Sequence, residues 1–458
     1  MKQSSVQSGA GTAGIKNLFG LYAKECKKVI CSLTFLLYTA AIFAMYYTQF
    51  HSELSGAETE PKPGFASYGM TEREVPEILM PRALDQLMLE YLQNSYTAYP
   101  IGFYKEVHLV EKKRQKMADI ICELTGQTRA ELNNQEDEND GFEEDGAFRF
   151  EVGGEDGIWA SDDNSFVVGG DRNPVEKESS HLEYSLSETI TYERFRELMR
   201  EADKLIGGGS CYSDKYIVFN FSQVPKTYEE ALEEYRQLVD EDKITGGYAR
   251  LYCDYVGFML GVLPVFVAVS LMQLDRKARM EQLVYSRRIS SAKLIFSRYA
   301  ALVTAMFLPI IITAAMAQAK VVGFYPDAKM DMFAFARYTV LWMLPTLMAV
   351  SAVGMLLTEL ASGLIAILLQ GAWWFTGMFS SALTGDIGKF NLTIRHNSLY
   401  KLDTFQEQYG DFLFNRAFYT VLAILLAALT AVIYEQKRRG RNFGLYTLVK
   451  NHKSKSAA

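Results

Sequence analysis

The clearest pattern in the chain is a series of six apolar runs, each about 20 residues long and without Asp, Glu, Lys or Arg in its interior. They lie at residues 29–49, 255–274, 299–318, 338–357, 362–383 and 416–434. A helix of this length crosses the hydrocarbon core of a bilayer. The pattern therefore predicts an all-α polytopic membrane protein with six transmembrane helices.

Shorter patterns fill the long region 51–250 between the first two runs. The spacing of apolar residues predicts helices at 75–93, 106–125, 190–205 and 227–241, and KYIVFNF at 215–221 is typical of a strand. Thr191 and Thr227 are the expected N-caps, and Glu230 completes a capping box with Thr227. Residues 127–180 are acidic, Gly-rich and poor in aliphatic side chains, which indicates a flexible insertion. We expect an α-rich (α+β) domain.

Charge gives this arrangement an orientation. Residues 51–250 carry 21 Lys and Arg against 42 Asp and Glu, a net charge of −21, whereas the rest of the chain has 26 bases against 12 acids, a net charge of +14. Lys and Arg cluster before the first run, between the second and third runs, and after the sixth. Basic loops stay in the cytoplasm. We therefore expect cytoplasmic termini and an extracytoplasmic domain at 51–250, with the loops 319–337 and 384–415 on the outer side.

The termini have their own character. Residues 1–14 are rich in Ser and Gly and are expected to be disordered, and residues 435–458 form a basic cytoplasmic tail. Residues 15–28 are expected to form an interfacial helix. One face of that helix carries Ile15, Leu18, Phe19 and Tyr22. A cleavable signal peptide competes for the first run, but the run exceeds the usual apolar length and no A-x-A site precedes the polar segment.

The chain carries no recognisable motif for its own chemistry. It contains no G-x-x-x-x-G-K-[ST] sequence, so any ATP would be hydrolysed by another chain. The acidic run 136–146 departs from an EF-hand loop because Ala147 occupies the place of the required Glu. The five histidines have no metal-ligand spacing, and no Ser, His and Asp grouping suggests a nucleophile. We predict no catalytic residues, no metal site, no directly bound cofactor and no nucleic-acid partner.

Within the apolar runs, polar and helix-breaking residues are the candidates for a path or a gate. Pro264, Pro309 and Pro345 are expected near the middle of three runs, either as gating points or as packing kinks. Gln370, close to Trp373 and Trp374, is suited to a transport path or to a helix-to-helix hydrogen bond. Two further pairs of residues also leave two alternatives each. Gly257 and Gly261 form a GxxxG surface that packs within the chain or between chains, and Cys122 and Cys211 are either bridged or free thiols.

The loop 275–298 between the second and third runs is the sharpest local feature. Its first part predicts an amphipathic helix to about Tyr285, with Met280, Leu283 and Val284 on the apolar side. A turn at SRRISS and a basic entry to the third run follow. A helix of this kind lies in the lipid headgroups or docks in the groove of a partner protein.

The segment RKARMEQLVYSRRISSAKLIFSRY resembles the loop of the pattern E-x-L-x-x-S-x-x-S in permease subunits of type-2 ABC transporters. Glu281, Leu283 and Ser286 match that pattern, whereas Ile289 stands at the second serine and Ser290 follows one residue late. The resemblance covers about 15–50 and 252–436. It implies that 276–286 is a coupling helix that contacts an ATPase. The implied contact residues are Arg279, Met280, Glu281, Leu283, Val284, Ser286 and Arg287.

The resemblance also implies partners and a location. Such a permease works as a dimer or pseudo-dimer, with a second copy or a homologous permease, and with cytoplasmic ABC ATPase subunits that bind ATP and magnesium. We expect export of a peptide, drug or lipid-like cargo across the plasma membrane, among membrane lipids. The phrases YPIGFYKEVHL, IGGGSCYS and YARLYCDYVG resemble permeases of Gram-positive bacteria. The alternative is a membrane-anchored surface receptor or assembly factor similar to the phage-infection-protein family, which has no assigned ATPase.

Overall fold

The structure, a computed structural model, describes residues 18–52, 54–65, 67–99, 104–132, 159–160, 166–167, 184–381, 387–396 and 398–441. The predicted disordered N-terminus, most of the acidic insertion at 127–180 and most of the basic tail lie outside these residues. The chain divides into two compact units. A first unit combines Met1–Ala66 with Thr227–Ala458, and an inserted unit comprises Ser67–Lys226.

The described secondary structure is mostly helical. In chain order the principal helices are α1 (18–30), α2 (Leu33–Met45), α3 (Pro76–Gln93), α4 (Glu111–Thr125), α5 (Tyr192–Ile206), α6 (Ile217–Phe221), α7 (Tyr228–Arg236), α8 (Thr245–Met259), α9 (Leu263–Lys277), α10 (Glu281–Tyr285), α11 (Ser291–Phe324), α12 (Ala334–Tyr338), α13 (Leu344–Leu360), α14 (Gly363–Ser381), α15 (Leu402–Glu407) and α16 (Tyr409–Arg438). Short π-helical turns at Tyr46–His51, Gln237–Glu241 and Thr339–Met343 follow α2, α7 and α12. The strands are β1 (Met70–Glu72), β2 (Tyr96–Ala98), β3 (Lys105–Val107), β4 (Trp159–Ala160), β5 (Phe166–Val167) and β6 (Gln223–Pro225).

The first unit contains the apolar helices. By length and composition, four described helices can cross a membrane, namely Leu33–His51, α11, Ala334–Leu360 and α16. The pair α8 and α9 makes a fifth span if it is counted as one helix bent by 48°. The predicted run 362–383 forms α14, whose described apolar part, Gly363–Gly377, is shorter. These helices are consistent with a multi-pass membrane protein, and the count of six spans stays a prediction.

Two predicted spans are interrupted. The first run, 29–49, breaks because the Ser32 hydroxyl accepts a hydrogen bond from the Phe35 backbone N–H at 3.2 Å and caps the start of α2. The second run, 255–274, is divided between α8 and α9. Both interruptions place the helix ends at points where side chains satisfy free backbone groups.

Helix α13 lies inside the first unit, where it packs against α9, α14 and α16. Gly354 permits this packing, since a Cβ at that position would lie 2.9 Å from the Cβ of Ala268 on α9. The close approach of α9 and α13 depends on the absence of that side chain.

The inserted unit has a hydrophobic core of its own, built on α3, α4, α5 and α6. Strands β2 and β3 form an antiparallel pair, and β1 pairs with β6, so the two ends of the unit lie side by side. The α+β prediction for this part of the chain is confirmed in its helices and short strands. The compact unit, Ser67–Lys226, is shorter than the predicted domain 51–250. Its extracytoplasmic location stays a prediction.

Most local predictions in this region are confirmed, with two exceptions. The Thr191 and Thr227 hydroxyls cap α5 and α7, and Thr227 forms the expected capping box with Glu230. The predicted helix 106–125 begins later, at Glu111, because its first residues belong to β3. The predicted strand 215–221 is wrong. It is the helix α6, whose first and last residues lie four apart and are buried on one face beside α3.

Candidate functional site

The loop between α9 and α11 contains the predicted coupling residues. Helix α9 ends in a Schellman motif, in which the Met280 N–H donates to the Asp275 carbonyl at 2.9 Å and the Arg279 N–H donates to the Arg276 carbonyl at 3.0 Å. Arg279 occupies the left-handed position with φ +53°. The single helix predicted at 276–286 is therefore wrong, because this turn separates α9 from the five-residue helix α10.

Helix α10 presents apolar side chains in two directions. Met280, just before it, is 46% exposed and Leu283 is 52% exposed, whereas Val284 is partly buried against the core of the first unit. Glu281 at the start of α10 accepts a hydrogen bond from the Arg276 Nε at 3.0 Å, and the Ser286 hydroxyl donates to the Leu283 carbonyl at 2.9 Å. The helix is thus held by its own ends and leaves two large apolar side chains uncovered.

Positive charge surrounds this exposed pair. The exposed basic residues of the loop include Lys277, Arg279, Arg287 and Arg288. We name the surface formed by Met280, Leu283 and these four residues the loop surface. An apolar centre with a basic rim suits a partner that offers an apolar depression with acidic residues around it.

A buried ion network, which the sequence pattern did not predict, lies beside this loop. Arg298 of α11 is 3% exposed, and its Nε lies 3.3 Å from the Glu25 carboxylate of α1. The same guanidinium also donates to Asp275 of α9. Lys28 adds a second cation 2.7 Å from Glu25. Three helices are joined here by charges, and the removal of one member would leave a buried charge unpaired. The sequence feature that could have indicated this network is a carboxylate near the basic end of each of two apolar runs, Glu25 before the first and Asp275 after the second.

The helix predicted at 15–28 is present as α1, which begins within the described residues at Leu18, and its interfacial position stays a prediction. Leu18 and Phe19 are 45% and 69% exposed, as a membrane-surface face requires. Tyr22 instead contacts the bundle, since its hydroxyl lies 2.7 Å from the Thr304 hydroxyl of α11. Ile15 lies outside the described residues.

Two of the predicted path residues on α14, Gln370 and Trp374, contact the break between α8 and α9. The Gln370 Nε2 donates to the Gly261 carbonyl at 2.7 Å, and the Trp374 Nε1 donates to the Phe258 carbonyl at 3.0 Å. The regular helical hydrogen bonds are interrupted here because the chain bends between the two helices, and the Phe258 carbonyl also accepts from the Gly261 N–H at 3.3 Å. Gln370 is fully buried. Its hydrogen bond is the helix-to-helix contact that was one of its two predicted roles. Trp373 packs on the Tyr419 ring, with 6.2 Å between ring centroids.

Of the two GxxxG residues, one serves this intramolecular contact. A Cβ at Gly261 would lie 2.3 Å from the Trp374 Cδ1, whereas a Cβ at Gly257 would lie no closer than 3.8 Å from Trp342. Gly261 is required by the close approach of α14, and Gly257 is not.

The three prolines differ in their surroundings. Pro264 lies in the first turn of α9, directly after the break from α8, where the missing N–H removes no helical hydrogen bond. Pro309 lies inside α11. Pro345 lies inside the continuous helical stretch Ala334–Leu360, where the π-helical turn Thr339–Met343 meets α13. Pro309 and Pro345 thus lie within membrane-length helices as predicted, whereas Pro264 lies at the bend of an interrupted one.

A buried arginine was missed by the sequence analysis. The Arg416 guanidinium, on α16, donates to the Trp342 carbonyl at 2.7 Å, the Thr346 hydroxyl at 2.8 Å and the Asn415 Oδ1. No carboxylate contacts it among the described residues. The Asn415 Nδ2 in turn donates to the Gly388 carbonyl at 2.9 Å. Arg416 lies at the edge of the sixth apolar run. From the sequence it could not be distinguished from an ordinary cation that flanks such a run.

Cys122 and Cys211 are both free thiols. Of the two predicted alternatives, the structure therefore has the unbridged one. Burial raises the pKa of the Cys211 thiol well above its ordinary value, which keeps it protonated and unreactive at neutral pH.

The described residues offer no cluster of three or more His, Cys, Asp or Glu side chains that could hold a metal ion. Comparison with protein-family models finds no match for this chain, and neither the curated proteins nor the solved structures contain a match.

Proposed function

We propose that this chain is the permease subunit of an ATP-driven ABC exporter, with the loop surface as the contact for a separate cytoplasmic ATPase subunit. The observation that carries the proposal is the position of Met280 and Leu283. Both are exposed on a short turn between two long apolar helices, within a rim of basic side chains. Exposed apolar side chains of this kind are typical of protein interfaces.

The mechanism follows from the way the loop is held. The loop connects directly to α9 and α11, and the network around Arg298 ties both helices to α1. A push on the loop surface is therefore transmitted to three helices at once. In the proposed cycle, ATP and magnesium bind to the partner ATPases, their closure displaces the loop, and the helices repack around a path for a peptide, drug or lipid-like cargo. A second permease copy or a homologous permease would complete the path.

The test is purification of the tagged chain from its native membranes, with identification of any subunit that contains a Walker motif. The wild-type chain should recover such a subunit. The double variant Glu281→Arg and Leu283→Arg should reduce its recovery by about tenfold or more, which corresponds to about 1.4 kcal/mol of binding.

Met332→Arg is the matched control, because Met332 is 55% exposed and lies in the connection between α11 and α12. This variant introduces one arginine at a similarly exposed apolar residue, as Leu283→Arg does, and should leave recovery unchanged. Purification of a fully active chain without any ATPase would contradict the proposal.

The alternative is a membrane-anchored receptor or assembly factor. The inserted unit favours it, because Ser67–Lys226 has a separate hydrophobic core and so has the character of a binding domain. Under this alternative the chain acts without an ATPase, and the loop variant has no effect on its activity.

A further inference from the structure

The last turn of α16 contacts the loop 275–298, which we name the coupling loop, and Arg438 makes three of the hydrogen bonds between them. Arg438 donates three hydrogen bonds to backbone carbonyls of the loop: to Tyr285 at 2.8 Å, to Arg287 at 2.7 Å and to Ile289 at 2.6 Å. About 150 residues of sequence separate the donor from these acceptors.

This arrangement matches the shape of a guanidinium group. Its nitrogens form a planar fork of donors, and here all three nitrogens are used on carbonyls of alternate residues. The loop between α10 and α11 has no regular hydrogen-bond ladder, and of these three carbonyls the one of Arg287 also accepts from a loop N–H, that of Ile289 at 2.8 Å. Hydrogen bonds from a charged donor are stronger than neutral ones. Arg438 is therefore a principal tertiary support of this segment.

Neighbouring residues of the same turn fix the helix end in place. The Tyr434 ring packs edge-on against the Tyr285 ring, with 5.4 Å between centroids. The Lys437 Nζ lies 2.9 Å from the Glu359 carboxylate at the end of α13. One helical turn thus contacts both the loop and the central helix α13, and α16 packs along α13.

We propose that Arg438 is a positioning residue of the coupling loop, which ties that loop to the last membrane helix so that displacement of the loop moves α16 directly. This inference rests on the proposed function in naming the loop as the coupling element. It adds a route to α16 that the covalent connections of the loop, to α9 and α11, do not supply.

The experiment measures amide hydrogen exchange of the full chain in lipid nanodiscs, without any ATPase. Arg438→Gln should speed exchange of peptides covering residues 284–290 by about tenfold or more, because the loop loses its charged donor. Arg438→Lys should have an intermediate effect, since one ammonium group cannot reach all three carbonyls in the same geometry.

Arg439→Gln is the matched control. Arg439 is the next residue, and its guanidinium pairs with Glu435 of its own helix at 2.8 Å. This variant should leave loop exchange within about twofold of wild type. Exchange in α8, which belongs to the same compact unit as Arg438, reports whether each variant is folded. If Arg438→Gln does not fold, the exchange of the 284–290 peptides is compared between Arg438→Lys and wild type instead. A folded variant whose loop exchanges at the wild-type rate overturns the proposal.

A second measurement separates positioning from simple stability, using the complex recovered from native membranes. Arg438→Gln should retain the ATPase subunit, because the loop surface is intact, but lose most ATP-driven transport. Retained transport with a loosened loop would overturn the positioning role. Absence of any ATPase subunit from the wild-type preparation would instead reject the proposed function, while the exchange result still decides whether Arg438 holds the loop.

Discussion

The Gln370 side chain donates a hydrogen bond to the Gly261 carbonyl across the break between α8 and α9, at 2.7 Å. Trp374, one helical turn further along α14, donates to a second carbonyl at the same break. A bent span requires such donors, because lipid offers none. The bend is thus a packed feature of the first unit, in which α14 supplies what the interrupted helix lacks.

Gly261→Ala tests the packing at this break. The new Cβ would lie 2.3 Å from Trp374 and 2.8 Å from Thr393, so α14 must shift. We expect a loss of about 1–3 kcal/mol of stability, measured as a lower thermal unfolding midpoint in detergent. Gly257→Ala is the control. It meets only ordinary contacts and should be neutral or slightly stabilising. Equal destabilisation by both variants would contradict the packing described here.

Gln370→Leu tests the hydrogen bond itself. The substitution introduces an apolar side chain of similar size and leaves the Gly261 carbonyl without its donor. We expect a cost of about 1–2 kcal/mol in the free energy of unfolding. Thr376→Val on the same helix should have little effect, because Thr376 is exposed and its hydroxyl bonds only to carbonyls of α14. A Gln370→Leu protein as stable as wild type would show that the break is satisfied in another way.

Glu90 makes the inserted unit sensitive to pH. It is buried on α3, where the Tyr212 hydroxyl donates to it at 2.7 Å and the Thr97 N–H at 3.4 Å. Burial raises the pKa of this carboxyl from 4.5 to about 7. The folded unit therefore holds a proton that the unfolded chain releases above pH 4.5, and stability falls as the pH rises to about 7. The loss totals about 3 kcal/mol.

Hydrogen exchange of α3 and α4 peptides at several pH values between 5 and 8 checks this expectation. Glu90→Gln should remove most of the dependence, because an amide keeps the shape of the carboxyl without its titration. Glu123 and Asp214 act in the opposite direction, since hydrogen bonds from Arg194 and Arg200 lower their pKa values. Their effect is confined to more acidic conditions. If the stability of the inserted unit depends on pH in Glu90→Gln as strongly as in wild type, another group is responsible for the dependence.

Arg279→Gly tests the turn that ends α9. A residue other than Gly in the left-handed region costs about 1 kcal/mol, so this variant should unfold at a higher temperature than wild type. Arg287→Gly removes the same charge from the same loop at a position without positive φ and should not stabilise. Arg279→Val should destabilise. The opposite order of the two Arg279 variants would show that this turn does not adopt the Schellman geometry.

Some features follow from the sequence alone, because they depend on residues that are close together in the chain. Apolar stretches about 20 residues long predict membrane-length helices, and four of the described helices have that length and composition. The caps at Thr191 and Thr227 are equally local, since each hydroxyl accepts from an N–H three residues later. The strand predicted at 215–221 failed because a short apolar stretch fits either structure, and burial beside α3 selected the helix.

The tertiary structure decided what joins distant parts of the chain. The break at Gly261 needs donors from α14, and the charge of Arg298 needs carboxylates on α1 and α9. The three carbonyls of the loop 275–298 meet Arg438 only when α16 packs beside them. The periodicity of apolar residues does not predict such pairs, because each partner, considered alone, resembles an ordinary flanking or packing residue. The sequence alone therefore determined where the apolar helices run, and the packing between them determined where they bend and what holds the loop.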